Sequence, residues 1–172
     1  MRSKQARADE FVTYVAARRR YLRRTAYLLC GDWHLAEDVV QAALIKLYAA
    51  WPRIRREGAE DAYARRTIIR AYLDEKRRPW RRERFGLDGV EPVQPSAPSY
   101  ENTDALITAL KTLPERQRAT IVLRYWYGLS VDETAAELGC SAGTVKSQTA
   151  RAIRSLREFL SPDDVTMEGW LS

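Results

Sequence analysis

Two groups of side chains in this chain have the types and spacing to do chemistry on nucleic acid. Thr144, Lys146, Ser147, Gln148 and Arg151 set hydroxyl, ammonium, amide and guanidinium groups within two helical turns of one another. Such groups donate to, or bridge, the acceptor patterns on the floor of the DNA major groove. Tyr63, Arg65, Arg66, Arg70, Tyr72, Lys76, Arg77 and Trp80 interleave rings with cations. That pairing holds single strands, because bases stack on aromatic faces while cations follow the phosphates. The alternative for the second group is that the rings are core and the arginines face water. A third, smaller pair is Asp38 and Gln41, one turn apart on the polar face of a helix.

Catalysis has little to work with. The single histidine is His34, so the usual Ser/His or Cys/His set depends on that residue alone. Asp38, Asp61 and Asp74 are scattered along the chain with no paired spacing for metal-assisted hydrolysis. Cys30 and Cys140 stand alone in theirs, which provides neither a disulfide framework nor paired-cysteine zinc spacing. The expectation is a non-enzymatic protein with no catalytic residue, no metal and no cofactor.

Composition agrees with a binding protein. Of 172 residues, 45% are hydrophobic and 30% charged, an ordinary balance for a folded soluble chain. Residues 1–82 carry 20 Lys and Arg against 10 Asp and Glu, so the basic excess lies in the first half and suggests a polyanionic partner. No apolar run is long enough to span a bilayer. The basic start, Met1 to Arg7, is followed by Ala8-Asp9-Glu10 where a secretory signal needs its apolar stretch. A cytoplasmic protein without membrane insertion is expected.

The elements that position these groups are helices. Asp9 is placed to cap a first helix carrying Phe11, Val15, Leu22, Ala26 and Leu29, which Gly31 ends. Asp32 caps a second with Ala36, Val40, Ala43, Leu44, Leu47 and Trp51 on one stripe, and Pro52 is expected to stop it before an Arg-rich loop over residues 53–58. A third runs from about Glu60 to Arg78, ahead of Pro79. The stretch from Phe85 to Ser99 holds Pro92, Pro95 and Pro98 with no helical periodicity and reads as a semi-extended linker. Beyond it, Leu106, Ile107, Leu110 and Leu113 make a short helix, and Pro114 opens another bearing Ala119, Val122, Leu123 and Trp126 up to Gly128. Ser130 with Glu133 forms a capping box, Gly139 allows a left-handed turn and Ser141 caps a final helix with Val145, Ala152, Ile153 and Leu156 buried. This is a helix-turn-helix whose second helix enters the major groove N-terminus first. The fold class is all-α: two small helical domains joined by a Pro-rich flexible linker.

On these residues the chain resembles a known family. Leu113-Pro114-Glu115-Arg116-Gln117-Arg118, Leu123-Arg124-Tyr125, Gly128-Leu129-Ser130, Ala135 to Gly139 and Gly143 to Ser147 are similar to the fourth domain of bacterial sigma factors of the extracytoplasmic-function (ECF) type. Ala36-Glu37-Asp38-Val39-Val40-Gln41 stands where domain two of such proteins has an acidic, Gln-containing helix start. Ala42, Arg70 and Gln148 stand where many members have Glu, Asn and Arg. The resemblance implies domain two over residues 10–82, a linker over 83–101, domain four over 102–160 and an acidic tail over 161–172. It implies that Asp38 and Gln41 face the clamp helices of the largest subunit of core RNA polymerase, with domain four at the flap. Arg55, Arg56, Tyr63, Arg66, Arg70, Tyr72, Lys76 and Arg77 would meet the melted −10 strand. Thr144, Lys146, Ser147, Gln148 and Arg151 would read the −35 duplex. The acidic linker would run toward the RNA exit path, and an anti-sigma factor is a further partner open to such a protein. The competing class is a free-standing helix-turn-helix regulator of duplex DNA, which needs neither the tyrosine-rich basic helix nor Gln41.

Overall fold

The structure is a computed structural model and describes residues 4–77 and 101–160. Seven helices, labelled α1 to α7, account for nearly all of these residues. The first half is α1 (Lys4–Cys30), α2 (Trp33–Glu57) and α3 (Glu60–Arg77). The second is α4 (Glu101–Thr112), α5 (Glu115–Ile121), a π-helical turn over Val122–Trp126, α6 (Val131–Leu138) and α7 (Ala142–Phe159).

The first three helices pack on one another through apolar stripes at helical spacing. Leu22, Ala26 and Leu29 of α1, Val39, Val40, Leu47 and Trp51 of α2, and Ile68, Ile69 and Tyr72 of α3 are all buried. Phe11 and Tyr14 extend the core along α1, their ring centroids 5.2 and 5.1 Å from Trp51. At the open end of α3, Asp61 accepts hydrogen bonds from Tyr14 Oη at 2.8 Å and Arg18 Nη2 at 2.6 Å.

Two boundaries differ from the sequence expectation. Asp9 lies inside α1, which starts at Lys4; its carboxylate accepts from Gln5 Nε2 and its carbonyl from Thr13 Oγ1. The preceding residues contain neither Gly nor Pro, and an interior Asp costs only about 0.7 kcal/mol relative to Ala. Pro52 does not stop α2 either, so residues 53–57 are helical rather than loop. Proline removes one backbone donor at a cost of about 3 kcal/mol. Carrying the helix one more turn buries Ile54 to 1% exposure beside Trp51, also at 1%, and burial of such side chains is worth about 1.5–3 kcal/mol each. The real stop is Gly58, left-handed at φ 63°, whose N–H bonds the Ile54 carbonyl.

In the second half, α4, α5 and α7 share a core of Leu110, Leu113, Ala119, Val122, Leu123, Val145, Ala152 and Leu156. The helix begun at Glu115 widens after Ile121, and Tyr127 N–H reaches back to Val122 O. This extra residue in the turn re-aims Trp126 and Tyr127 out of the local stripe and toward α1.

The two halves share one continuous buried core. Gly31, left-handed at φ 66°, ends α1 and lets this corner meet α4: a Cβ there would lie 2.5 Å from the side-chain carbons of Lys111. Gly31→Ala should therefore destabilise the chain by about 1–2 kcal/mol through the backbone conformation alone. A urea melt followed by circular dichroism checks this, and an unchanged midpoint would remove Gly31 as a required residue.

Candidate nucleic-acid and polymerase interfaces

The helix-turn-helix is built as its turn chemistry dictates. Ser130 Oγ accepts from Glu133 N–H at 3.1 Å while Glu133 Oε2 accepts from Ser130 N–H at 2.7 Å, closing both arms of the capping box. Those hydrogen bonds from Ser130 hold the Glu133 carboxyl below its usual range. The box contributes above the ordinary carboxylate pKa and is lost as pH falls through the lowered one. Gly139 turns the chain at φ 63°, and Ser141 Oγ caps α7 by accepting from Thr144 N–H at 3.1 Å.

With Val145, Ala152 and Leu156 buried, the opposite face of α7 is solvent-exposed. Lys146, Ser147 and Arg151 lie on it. Thr144 and Gln148 are half-buried and already engaged: the Thr144 hydroxyl lies 2.9 Å from Ser141 Oγ, and Gln148 Oε1 accepts from Thr120 Oγ1 of α5 at 2.8 Å. Arg154 and Arg157 are also exposed and continue the cationic face beyond Arg151. Their three-residue steps from Arg151 were the available signal, and stopping at the first turns of the helix passes over them.

On the first half, Arg66 and Arg70 are exposed on α3 and Tyr63 is half-buried. Tyr72 is 0% exposed, so it belongs to the core and does not share the face of Arg66 and Arg70. Its stripe with Ile68 and Ile69 puts it there, and burial raises its hydroxyl above the ordinary tyrosine range. Arg55 pairs with Glu60 and, at 3.9 Å, with Glu10, and its guanidinium lies over the Trp51 ring. Arg56, Lys76 and Arg77 fall in the last turns of α2 and α3; their side chains, with Trp80 and Arg78, Arg81 and Arg82, lie outside the described residues.

Asp38 and Gln41 are both exposed on the outer face of α2. Two apolar side chains continue that face at helical spacing, Ile45 at 71% exposure and Tyr48 at 42%. Sequence reading missed them because a stripe of Ile and Tyr ordinarily marks core. Here the buried stripe runs through Leu47 and Trp51 instead, which leaves an apolar patch in water.

Among the described residues no cluster of three or more His, Cys, Asp or Glu side chains is placed to hold a metal ion. No helix among them is long and apolar enough to cross a membrane.

Comparison with known proteins fits this geometry. Residues 14–82 match the family model "Sigma-70 region 2" and residues 103–156 match "Sigma-70, region 4". The RNA polymerase sigma-E factor of Streptomyces coelicolor is 40% identical over 163 residues, covering 91% of this chain and 89% of that one. The ECF RNA polymerase sigma factor SigM of Mycobacterium tuberculosis is 33% identical, covering 82% of this chain and 72% of that one. In structure, the chain resembles the sigma factor RpoE from Bartonella quintana, solved in complex with the anti-sigma factor NepR. The TM-score is 0.67 at 26% identity, over 90% of this chain and 98% of that one. A helical protein with a capped helix-turn-helix and both of these matched regions is a sigma-type DNA-binding protein. The chain belongs to the ECF RNA polymerase sigma factors, with regions 2 and 4 of the sigma-70 superfamily, and functions in transcription initiation.

Proposed function

We propose that the chain binds core RNA polymerase through the outer face of α2, takes the melted −10 strand on α3 and reads the −35 duplex with α7. The observation that carries the reading is the outward cationic face of α7 behind a fully capped turn, opposite its buried stripe. Lys146, Ser147 and Arg151 contact the groove, with Arg154 and Arg157 on the backbone and Thr144 and Gln148 shaping the helix start. Tyr63, Arg66 and Arg70 meet the strand, joined by Arg55, Arg56, Lys76 and Arg77 at the ends of α2 and α3. The role is recognition and strand separation in the cytoplasm, and it requires no reaction catalysed by the chain itself. Residues 10–82 and 102–160 serve as the two functional domains, with the acidic 83–101 connection directed toward the RNA exit path. An anti-sigma factor belongs to the same reading.

The polymerase contact can be tested directly. Asp38 and Gln41 supply its polar part, and Ile45 and Tyr48 supply apolar area of the kind that dominates interface cores. Gln41→Ala should weaken capture of core polymerase by roughly fivefold to tenfold, the net worth of one lost interfacial hydrogen bond. Circular dichroism should stay native, since Gln41 is exposed. Undiminished capture by a natively folded variant would remove Gln41 from the interface.

A further inference from the structure

Five of the seven residues from Arg18 to Arg24 are arginine, and the helices assigned to DNA and polymerase do not account for them. α1 carries four of them in two rows, Arg19 with Arg23 and Arg20 with Arg24, each pair about 6 Å apart along the helix axis. Leu22, Ala26 and Leu29 are buried on the other side of the helix, while Arg19, Arg20 and Arg24 are exposed and Arg23 is half-buried. Two of the five are neutralised locally. Arg18 Nη2 lies 2.6 Å from Asp61 of α3, and Arg23 pairs with Glu37 of α2. Among the described residues no carboxylate pairs with Arg19, Arg20 or Arg24; the Arg24 guanidinium carbon lies 5.8 Å from the Trp126 ring.

The fold does not call for this ridge, since like charges at i and i+4 oppose helix formation. The ridge also lacks what a protein partner or a single strand would use. Interface cores are depleted of charge and filled with apolar side chains. The one large apolar side chain exposed within the run is Tyr21. Single strands need open ring faces for their bases. Tyr21 is already stacked on Trp126 with centroids 5.3 Å apart, and Tyr27 on Trp33 at 3.9 Å. What remains is a row of guanidinium groups, whose donors match phosphate oxygens.

We propose that the outer face of α1 is a further DNA contact, in which Arg19, Arg20 and Arg24 hold the phosphate backbone of duplex DNA whatever its sequence. Phosphate contacts of this kind position a protein on the duplex and carry no base preference. α1 packs directly on α3, so the ridge belongs to the same helical unit as the proposed strand-binding face and stands about one helix diameter from it. The inference depends neither on which bases α7 reads nor on the polymerase contact of α2.

The test uses the full chain and a fluorescein-labelled duplex of arbitrary sequence, with affinity measured by anisotropy over a series of KCl concentrations. Arg19→Ala with Arg20→Ala removes two exposed cations that support no described contact of the fold. The log–log salt slope should become shallower by about two phosphate contacts, so that wild type loses about tenfold more affinity than the double variant between about 50 and 200 mM salt. Replacing the same two residues by Lys keeps the charge and should keep most of the slope. An unchanged slope in the natively folded alanine variant overturns the proposal, and so does a wild-type chain that does not bind the duplex at low salt. A lysine variant that loses as much slope as the alanine variant overturns it too, because charge would not be the cause. If the alanine variant keeps its slope while Arg151→Ala lowers it, the reading of α7 stands and only the α1 contact falls. Loss of core polymerase capture with the DNA slope intact would assign the ridge to an acidic protein surface and overturn the duplex contact.

Discussion

Arg118→Ala should lower the stability of the chain by about 3–5 kcal/mol. Arg118 is 5% exposed, and three backbone carbonyls receive its guanidinium: Leu29 O at 2.6 Å, Lys111 O at 2.9 Å and Leu113 O at 3.1 Å. Leu29 ends α1, and Lys111 and Leu113 end α4, so one cation meets the negative ends of two helices from different halves. Hydrogen bonds to a charged group contribute about 1.5–3 kcal/mol each, and each abandoned buried carbonyl costs about 1–3 kcal/mol. These terms overlap, which places the sum in the stated range rather than at its additive limit. For a chain of this size the change corresponds to a melting point lower by roughly 10 °C. Arg118→Lys should recover only part of it, since an ammonium group lacks the planar fork that serves both helix ends. Thermal melts of the two variants check the prediction, and a loss below about 1 kcal/mol in the alanine variant would show that the guanidinium is not the joint.

The contrast between Arg118 and the helix caps shows which features a sequence displays. Asp32, Gly31, Ser130 with Glu133, Gly139 and Ser141 act on backbone groups three or four residues away, so their positions can be read locally, and each does what its residue type implies. The buried stripes of α2 and α7 are legible for the same reason. Arg118 and Glu137 are not, because a charged residue on an amphipathic helix ordinarily faces water. Their partners, Leu29 O and Arg65, are 89 and 72 residues distant, and no periodicity records such a pairing. The same distance hides the role of Trp126, which looks like one more member of the local stripe until the π-helical turn redirects it to Thr25. Pro52 misleads in another way, since its local penalty is real but is offset by tertiary burial of Trp51 and Ile54. Within the candidate sites, Lys146, Ser147 and Arg151 emerge exposed as their spacing implies, whereas Tyr72 turns inward because it shares a stripe with Ile68 and Ile69.

Lys146→Ala and Arg151→Ala should both weaken promoter duplex binding, but with different signatures. Each residue flanks a buried one, Lys146 following Val145 and Arg151 preceding Ala152, and at 100° per residue they lie on opposite shoulders of the outer face of α7. They therefore cannot serve the same group on DNA. Lys146 sits just past the first turn, near the end proposed to enter the groove, and its loss should cost about 1–3 kcal/mol and relax preference at one base position. Arg151 lies more than a turn later, in line with Arg154, where the proposed docking brings the helix past the sugar-phosphate backbone. Its loss should lower affinity for all sequences alike and reduce the salt dependence by about one phosphate contact. Binding of each variant to single-base promoter changes at several salt concentrations separates the two roles. Equal losses on every sequence for Lys146→Ala would move that residue to the backbone. Wild-type binding by both variants would mean that α7 does not read duplex DNA and that the second half docks on protein instead.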